Sequence, residues 1–278
     1  MKEKIRLIFL GDITGRQGRT GVKTYLSTLK EKPDFVIANV ENASHGFGLT
    51  KKNYIDLAQN GIDCFTSGNH IWDKRDIFEY IEEADKLIRP INYTADTPGV
   101  GCRIFEVKSQ KLAVINVLGR VFMPPIDSPW EIVPREIDKL IEMSVEHIII
   151  DFHAEATAEK ICFSKYLANK YNNEKNALIK CFFGTHTHVQ TADEKILQGM
   201  AYITDVGFCG AQESVIGMDF ETSLRRLSTS LPERYEIAET PLAQINGVEA
   251  LIDGARSTQI KRISVIIDNN ESEEASEG

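Results

Sequence analysis

The sequence predicts a layered α/β fold. Short, almost continuously apolar runs recur along the chain, and amphipathic helical patterns lie between many of them. Continuous apolar runs suit strands buried on both faces. A further observation concerns placement: Asp, Glu, Asn and His residues follow several of these runs directly. In open α/β sheets, sites form at the carboxyl ends of strands.

The elements follow in order. The first run, residues 5–10, ends at Gly11-Asp12, and a helical pattern covers 20–30. The second run, 35–40, ends at Glu41-Asn42 and precedes a helix over 51–59. The third, 64–66, ends at Ser67-Gly68-Asn69-His70, with a helix over 75–84 beyond it. Residues 90–118 are less helical and predict a small antiparallel portion of sheet, with an apolar run at 112–118. Residues 121–129 carry three prolines and predict a long irregular loop. A helix over 131–143 leads to the run 147–151, which ends at Phe152-His153. A helix over 156–170 leads to the run 178–184, which ends at Thr185-His186-Thr187-His188. A last run covers 201–205, and 210–230 reads as irregular. Residues 269–278 are mostly Asn, Glu and Ser, which predicts disorder. No repeat or linker divides the chain, so one domain is expected over 1–268.

Composition narrows the function. The formal net charge is −9, and no Lys/Arg cluster is visible. Proteins of long DNA or RNA carry a basic stripe, so a small substrate is expected instead. An acidic chain can still bind phosphate where cations lie in the site. Cys64, Cys102, Cys162, Cys181 and Cys209 are odd in number and form no CxxC pair. They read as buried small hydrophobes in a reducing compartment. The apolar stretch 5–10 is broken by Arg6 and is too short for a signal peptide or a membrane span. A cytoplasmic protein without a membrane partner is expected.

The strand-end residues carry the chemistry. Carboxylates supply charge, and one such as Glu41 can bridge two cations. Imidazoles and an amide oxygen complete shells suited to Fe, Mn or Zn. Two cations about 3.5–4 Å apart can hold a bridging hydroxide and clamp a phosphoryl group. In extended backbone, His186 and His188 share one face and can serve both ions. Any one of these residues alone would suit a turn or a helix cap; together they outline a metal site. Rival motifs fail. Gly11, Gly15 and Gly18 match neither a dinucleotide nor a Walker A loop. His153-Ala154-Glu155 has no P-C-x-x-C after it, and HExxH is absent. Ser164 and Ser228 lack a nucleophile-elbow context. His45 and His147 read as structural, with His45 also a candidate for a substrate loop.

Ser67-Gly68-Asn69-His70 resembles the G-N-H block of calcineurin-like metallophosphoesterases. Gly184-Thr185-His186-Thr187-His188 resembles their G-H-x-H block, with Thr185 as an extra residue. More closely, the chain resembles the YmdB family of bacterial 2′,3′-cyclic-nucleotide phosphodiesterases. The matching stretches are residues 11–15, 41–43, 67–73, 119–125, 151–157, 184–193 and 202–207. The resemblance implies an α/β/β/α metallophosphoesterase sandwich with its metal site at the C-terminal ends of strands. It implies that Asp12, Glu41, Asn42 and His188 bind a first metal. Glu41, Asn69, His153 and His186 would bind a second, with Glu41 bridging. The metals would be iron, with other divalent ions possible, in a homo-oligomer. One departure from the wider superfamily matters. Its D-x-H at the first strand has Thr14 as its third residue here, and Asn42 takes over that coordination. The first site is then richer in oxygen ligands, which favour harder ions.

The expected reaction is in-line attack of a metal-bridging hydroxide on a 2′,3′-cyclic nucleotide, with His70 as proton donor to the leaving 2′ oxygen. Arg120, Phe122 and Met123 are candidates for substrate contact, and the same loop could instead pack a subunit interface. Alternative readings are a 3′,5′-cyclic-nucleotide or phosphoprotein hydrolase of the same fold, or a nucleotide-sensing protein with slow turnover.

Overall fold

The computed structural model describes residues 3–173 and 175–269. The tail expected to be disordered lies outside these residues, apart from Asn269.

Period-2 alternation builds the layers. Strand β1 (Ile5–Leu10) turns Ile5, Leu7 and Phe9 to one face and Ile8 and Leu10 to the other. It belongs to a seven-stranded sheet with β2 (Asp12–Ile13), β3 (Phe35–Asn39), β4 (Cys64–Thr66), β11 (Phe208–Ala211), β12 (Leu242–Asp253) and β13 (Arg256–Asp268). A second sheet has six strands: β5 (Cys102–Val107), β6 (Gln110–Leu118), β7 (His147–His153), β8 (Ile179–Thr185), β9 (Lys195–Leu197) and β10 (Met200–Ile203). β1, β3 and β4 run parallel, as do β6, β7, β8 and β10.

The sheets pack face to face. Leu7, Phe9 and Ile37 from the first meet Val114, Ile149 and Phe183 from the second, with the Phe9 and Phe183 rings edge-to-face at 5.2 Å. On the outer face of the first sheet, Ile8 and Val36 pack with Val22 of α1 (Gly15–Thr28) and Leu57 of α2 (Lys51–Gln59). On the outer face of the second, Ile150 and Phe152 pack with Val133 of α4 (Pro129–Glu142) and Phe163 of α5 (Thr157–Tyr171). The expected α/β/β/α order holds, and β5 pairs antiparallel with β6 as read from residues 90–118.

Several expectations need correction. The hairpin β12–β13 was not anticipated. Its apolar residues are interrupted by Gln244, Asn246, Gly247 and Glu249, and much of β13 is exposed. Helix α1 begins at Gly15, and the helix expected over 75–84 is a single turn, α3 (Ile77–Tyr80). The proline-rich loop is irregular through Ser128. Pro129 opens α4, where its missing N–H costs nothing. Residues 210–230 are not wholly irregular. They include α6 (Phe220–Thr229), capped by the Asp219 carboxylate, which accepts from Thr222 N at 2.9 Å.

Cys64, Cys181 and Cys209 are buried as expected, and burial pushes the last two thiols up to about 12. Cys162, however, is exposed, on the outward side of α5. His147 is buried against Gln110 Oε1 at 2.9 Å, whereas His45 is exposed at a positive φ of 56° and is no core histidine. Among the described residues, no helix is long and apolar enough to cross a membrane.

Candidate metal centre

The carboxyl ends of β1, β3, β4, β7 and β8 converge. Glu41 stands at the middle, two residues beyond β3, with its own N–H held by Asn39 Oδ1 at 3.1 Å. Its Oε1 lies 2.9 Å from His153 Nε2, and its Oε2 accepts from the His70 backbone N–H at 2.9 Å. Asp12 is fully buried. Its Oδ2 accepts from His186 N at 3.2 Å, and its Oδ1 lies 4.0 Å from His188 Nε2. Asn42 donates its amide to Gly46 O at 2.8 Å, which leaves Asn42 Oδ1 as an acceptor.

Asp12 Oδ1, Asn42 Oδ1 and Asn69 Oδ1 are buried and have no hydrogen-bond partner among the described residues. Such oxygens are costly to bury unless something compensates them. Bound cations would compensate them. The glycine of the G-N-H block follows from the same crowding. A Cβ on Gly68 would collide with Glu41 Oε2 and the His153 ring.

Hydrogen bonds orient the three histidine rings. Thr185 Oγ1 donates to Asp151 Oδ1 at 2.7 Å and so accepts from His153 Nδ1–H at 2.9 Å, turning His153 Nε2 inward. His186 Nε2 lies 3.1 Å from Glu155 Oε2, which leaves Nδ1 facing His153 Nε2 at 3.0 Å. His188 Nδ1–H donates to Ile216 O at 2.8 Å, leaving Nε2 toward Asp12. Glu41, His153 and His186 place one ligand atom each within 4.8 Å of one another. Partners of this kind orient ligating imidazoles and raise their basicity.

Electrostatics agree. Burial pushes the Glu41 carboxyl up, but His153 outweighs it and holds Glu41 at about 2. Burial pulls His153 down, but Glu41 and the nearby aspartates raise it to about 9. Burial and the adjacent His153 lower His186 to about 3. The two facing nitrogens therefore share one positive charge, which a bound cation can replace. Burial also raises Asp151, beneath His153, to about 6.

The H-x-H segment differs from expectation. It is not extended: β8 ends at Thr185, and His186 and His188 have φ of 101° and 63°. Non-glycine residues in this region need support from their surroundings. Thr187, between them, supplies it. Its N–H and Oγ–H both donate to Asp205 Oδ2, at 3.1 and 2.7 Å, and Asp205 pairs with buried Lys160 at 2.7 Å. Sequence reading assigned no role to Asp205, Lys160, Asp151 or Asp73. Asp73 Oδ2 lies 2.8 Å from His70 Nδ1 and orients that ring. Asp205 sits just past β10, so strand-end placement could have found it. Lys160 lies inside a helix and gave no such signal.

A cavity of about 390 Å3 opens over the centre, lined by Glu41, Asn42, His70, His186 and His188. Arg120, Phe122 and Met123 do not line it, and Phe122 is 88% exposed. Their loop is instead tied to α5, where the Glu159 carboxylate accepts from Arg120 N and Val121 N.

A model of the family described as YmdB-like protein matches residues 8–263. A relative in Bacillus subtilis (strain 168), named 2′,3′-cyclic-nucleotide 2′-phosphodiesterase, is 43% identical over 272 residues, covering 96% of this chain and 98% of the relative. The crystal structure of a novel phosphatase from Mycoplasma pneumoniae superposes with a TM-score of 0.86 at 34% identity, covering 99% of this chain and 98% of that one. The calcineurin-like phosphoesterase YfkN from Bacillus subtilis shares the fold, with a TM-score of 0.53 at 11% identity over 98% of this chain and 92% of that one. The chain belongs to the YmdB-like family.

Proposed function

We propose that the chain is a dinuclear-metal phosphodiesterase that opens 2′,3′-cyclic nucleotides at the 2′ bond to give 3′-nucleotides. One observation carries the reading: Glu41, His153 and His186 gather their ligand atoms beside the orphaned oxygens of Asp12, Asn42 and Asn69. The name of the Bacillus subtilis relative supplies the substrate class. Asp12, Glu41, Asn42 and His188 would hold one ion, and Glu41, Asn69, His153 and His186 the other. When bound, the ions supply an acidified water and positive charge for the phosphoryl oxygens. We take iron as the native metal, with Mn or Zn as alternatives. The oxygen-rich first set, with Thr14 in place of a histidine, tolerates the harder ions.

The protein's own residues do the rest. The Asp73 carboxylate holds the His70 ring through Nδ1, so Nε2 is the atom that can protonate the departing ribose oxygen. The Phe47 ring packs edge-on against His70 at 4.9 Å and limits its rotation. We read residues 1–268 as one phosphoesterase domain, cytoplasmic and assembled as a homo-oligomer.

The test is elemental analysis of the purified protein alongside a panel of 2′,3′-cyclic AMP, 3′,5′-cyclic AMP and a phosphopeptide. The expected outcome is two metal ions per chain and 3′-AMP from the first substrate. Preferential turnover of either other compound would overturn the substrate assignment, and a metal-free active enzyme would overturn the mechanism.

A further inference from the structure

The cavity over the metal centre is two-sided. One side carries the metal-ligand candidates and His70. The other carries Ile216, Met218, Ser223, Leu227 and Tyr235, from α6 and its flanking segments, with Phe47 beside His70. A purely phosphate-binding pocket has no use for an apolar wall. Leu227 is 69% exposed and Ile216 48% exposed along this rim, and exposed apolar surface beside a polar centre marks binding. The volume falls within the range of about 300–1,000 Å3 typical of small-molecule sites.

Ser223 is the second observation. Helical hydroxyls usually bond back to the preceding turn. On α6, Thr222 Oγ1 donates to Asp219 O, Ser228 Oγ to Leu224 O and Thr229 Oγ1 to Arg225 O. Ser223 is 1% exposed, lines the cavity, and has no partner for its hydroxyl among the described residues. A buried hydroxyl without a partner is costly unless a ligand completes it. Tyr235 supplies an aromatic surface nearby, with the Arg226 guanidinium 4.6 Å over its ring.

We propose that this wall is a nucleobase subsite, in which Tyr235 and the apolar rim pack the base and Ser223 Oγ bonds its edge. The proposal rests on the phosphodiesterase reading and extends it to the group that selects nucleotides over simple phosphodiesters. A hydroxyl both donates and accepts, so the subsite takes purines and pyrimidines alike.

The test compares metal-loaded wild type, Ser223→Ala and Tyr235→Leu on 2′,3′-cyclic AMP, 2′,3′-cyclic UMP and 1-O-methylribose 2′,3′-cyclic phosphate, which has no base. Calorimetric binding of 3′-AMP and of ribose 3-phosphate is measured in parallel, and thermal melts check folding. Wild type should prefer the base-bearing esters by about 10–100-fold in kcat/KM, as expected from stacking of a base on an aromatic side chain. Each variant should shrink that ratio, by raising KM more than it lowers kcat. Equal wild-type turnover with and without a base overturns the proposal, as does a ratio unchanged in both variants. If no ester is hydrolysed, the phosphodiesterase reading fails on its own. The binding comparison then decides the subsite: tighter 3′-AMP binding, weakened in both variants, supports it, and equal binding of the two phosphates overturns it.

Discussion

Replacing Asp205 separates what holds the fold from what holds the metal. Its carboxylate is 1% exposed and accepts from Lys160 Nζ, Thr187 N, Thr187 Oγ and Gly207 N. Asp205→Ala strands the Lys160 ammonium, itself 1% exposed, without its counter-charge. Breaking a buried pair from one side costs about 3–5 kcal/mol. For a protein of this size each kcal/mol lowers Tm by roughly 2–4 °C, so the melt should fall by roughly 6–20 °C. The same change frees Thr187, and with it the left-handed turn carrying His186 and His188. Loss of a partner that orients ligands typically costs about 10–100-fold in metal affinity. The decisive comparison is the double variant Lys160→Met/Asp205→Ala. Removing the stranded ammonium should recover part of the stability, while metal affinity stays low because Thr187 is still unanchored. Stability is read by urea denaturation in chelator, and affinity by competition with a chromophoric chelator. A single variant losing less than about 1 kcal/mol would contradict the buried-pair argument. Recovery of metal affinity in the double variant would refute the anchoring argument.

Three further outcomes are expected. His70→Ala should lower turnover by about 10²–10⁴-fold, with metal content near that of wild type by elemental analysis; loss of both together would remove His70 from the proton-donor role. Gly68→Ala should bind less than the full complement of metal, because the new Cβ meets Glu41 and His153; full occupancy with normal turnover would show that the centre tolerates a side chain there. The pH prediction concerns metal-free protein. His153 is raised from 6.5 to about 9, so its stabilising contribution is complete below pH 6.5 and is lost as pH rises through 9. Glu41 near 2, His186 near 3 and Asp151 near 6 titrate below that window. Stability in chelator should therefore fall between pH 6.5 and 9, His153→Asn should flatten the fall, and metal binding at pH 7.5 should release protons. Calorimetry in buffers of different ionisation enthalpy reads that release, and its absence would contradict the assignment.

The sequence by itself determined the layered α/β class and marked a set of candidate donor residues. Buried strands read as apolar runs such as residues 5–10 and 147–151, and a polar residue directly after such a run sits at a sheet edge whatever the rest of the chain does. Asp12, Glu41, Asn69, His153 and His186 were legible for that reason. The tertiary structure decided what depends on partners distant in sequence. Lys160 meets Asp205 across 45 residues, and no local pattern encodes that pair. The β12–β13 hairpin depends on pairing with β1 and β11 more than on its own hydrophobicity. The ring orientations of His153 and His188 depend on Thr185 and Ile216, contributed by other segments. The wall that α6 raises over the centre depends on where a helix packs, and the exposed Leu227 reads as ordinary surface until the fold sets it beside the candidate ligands.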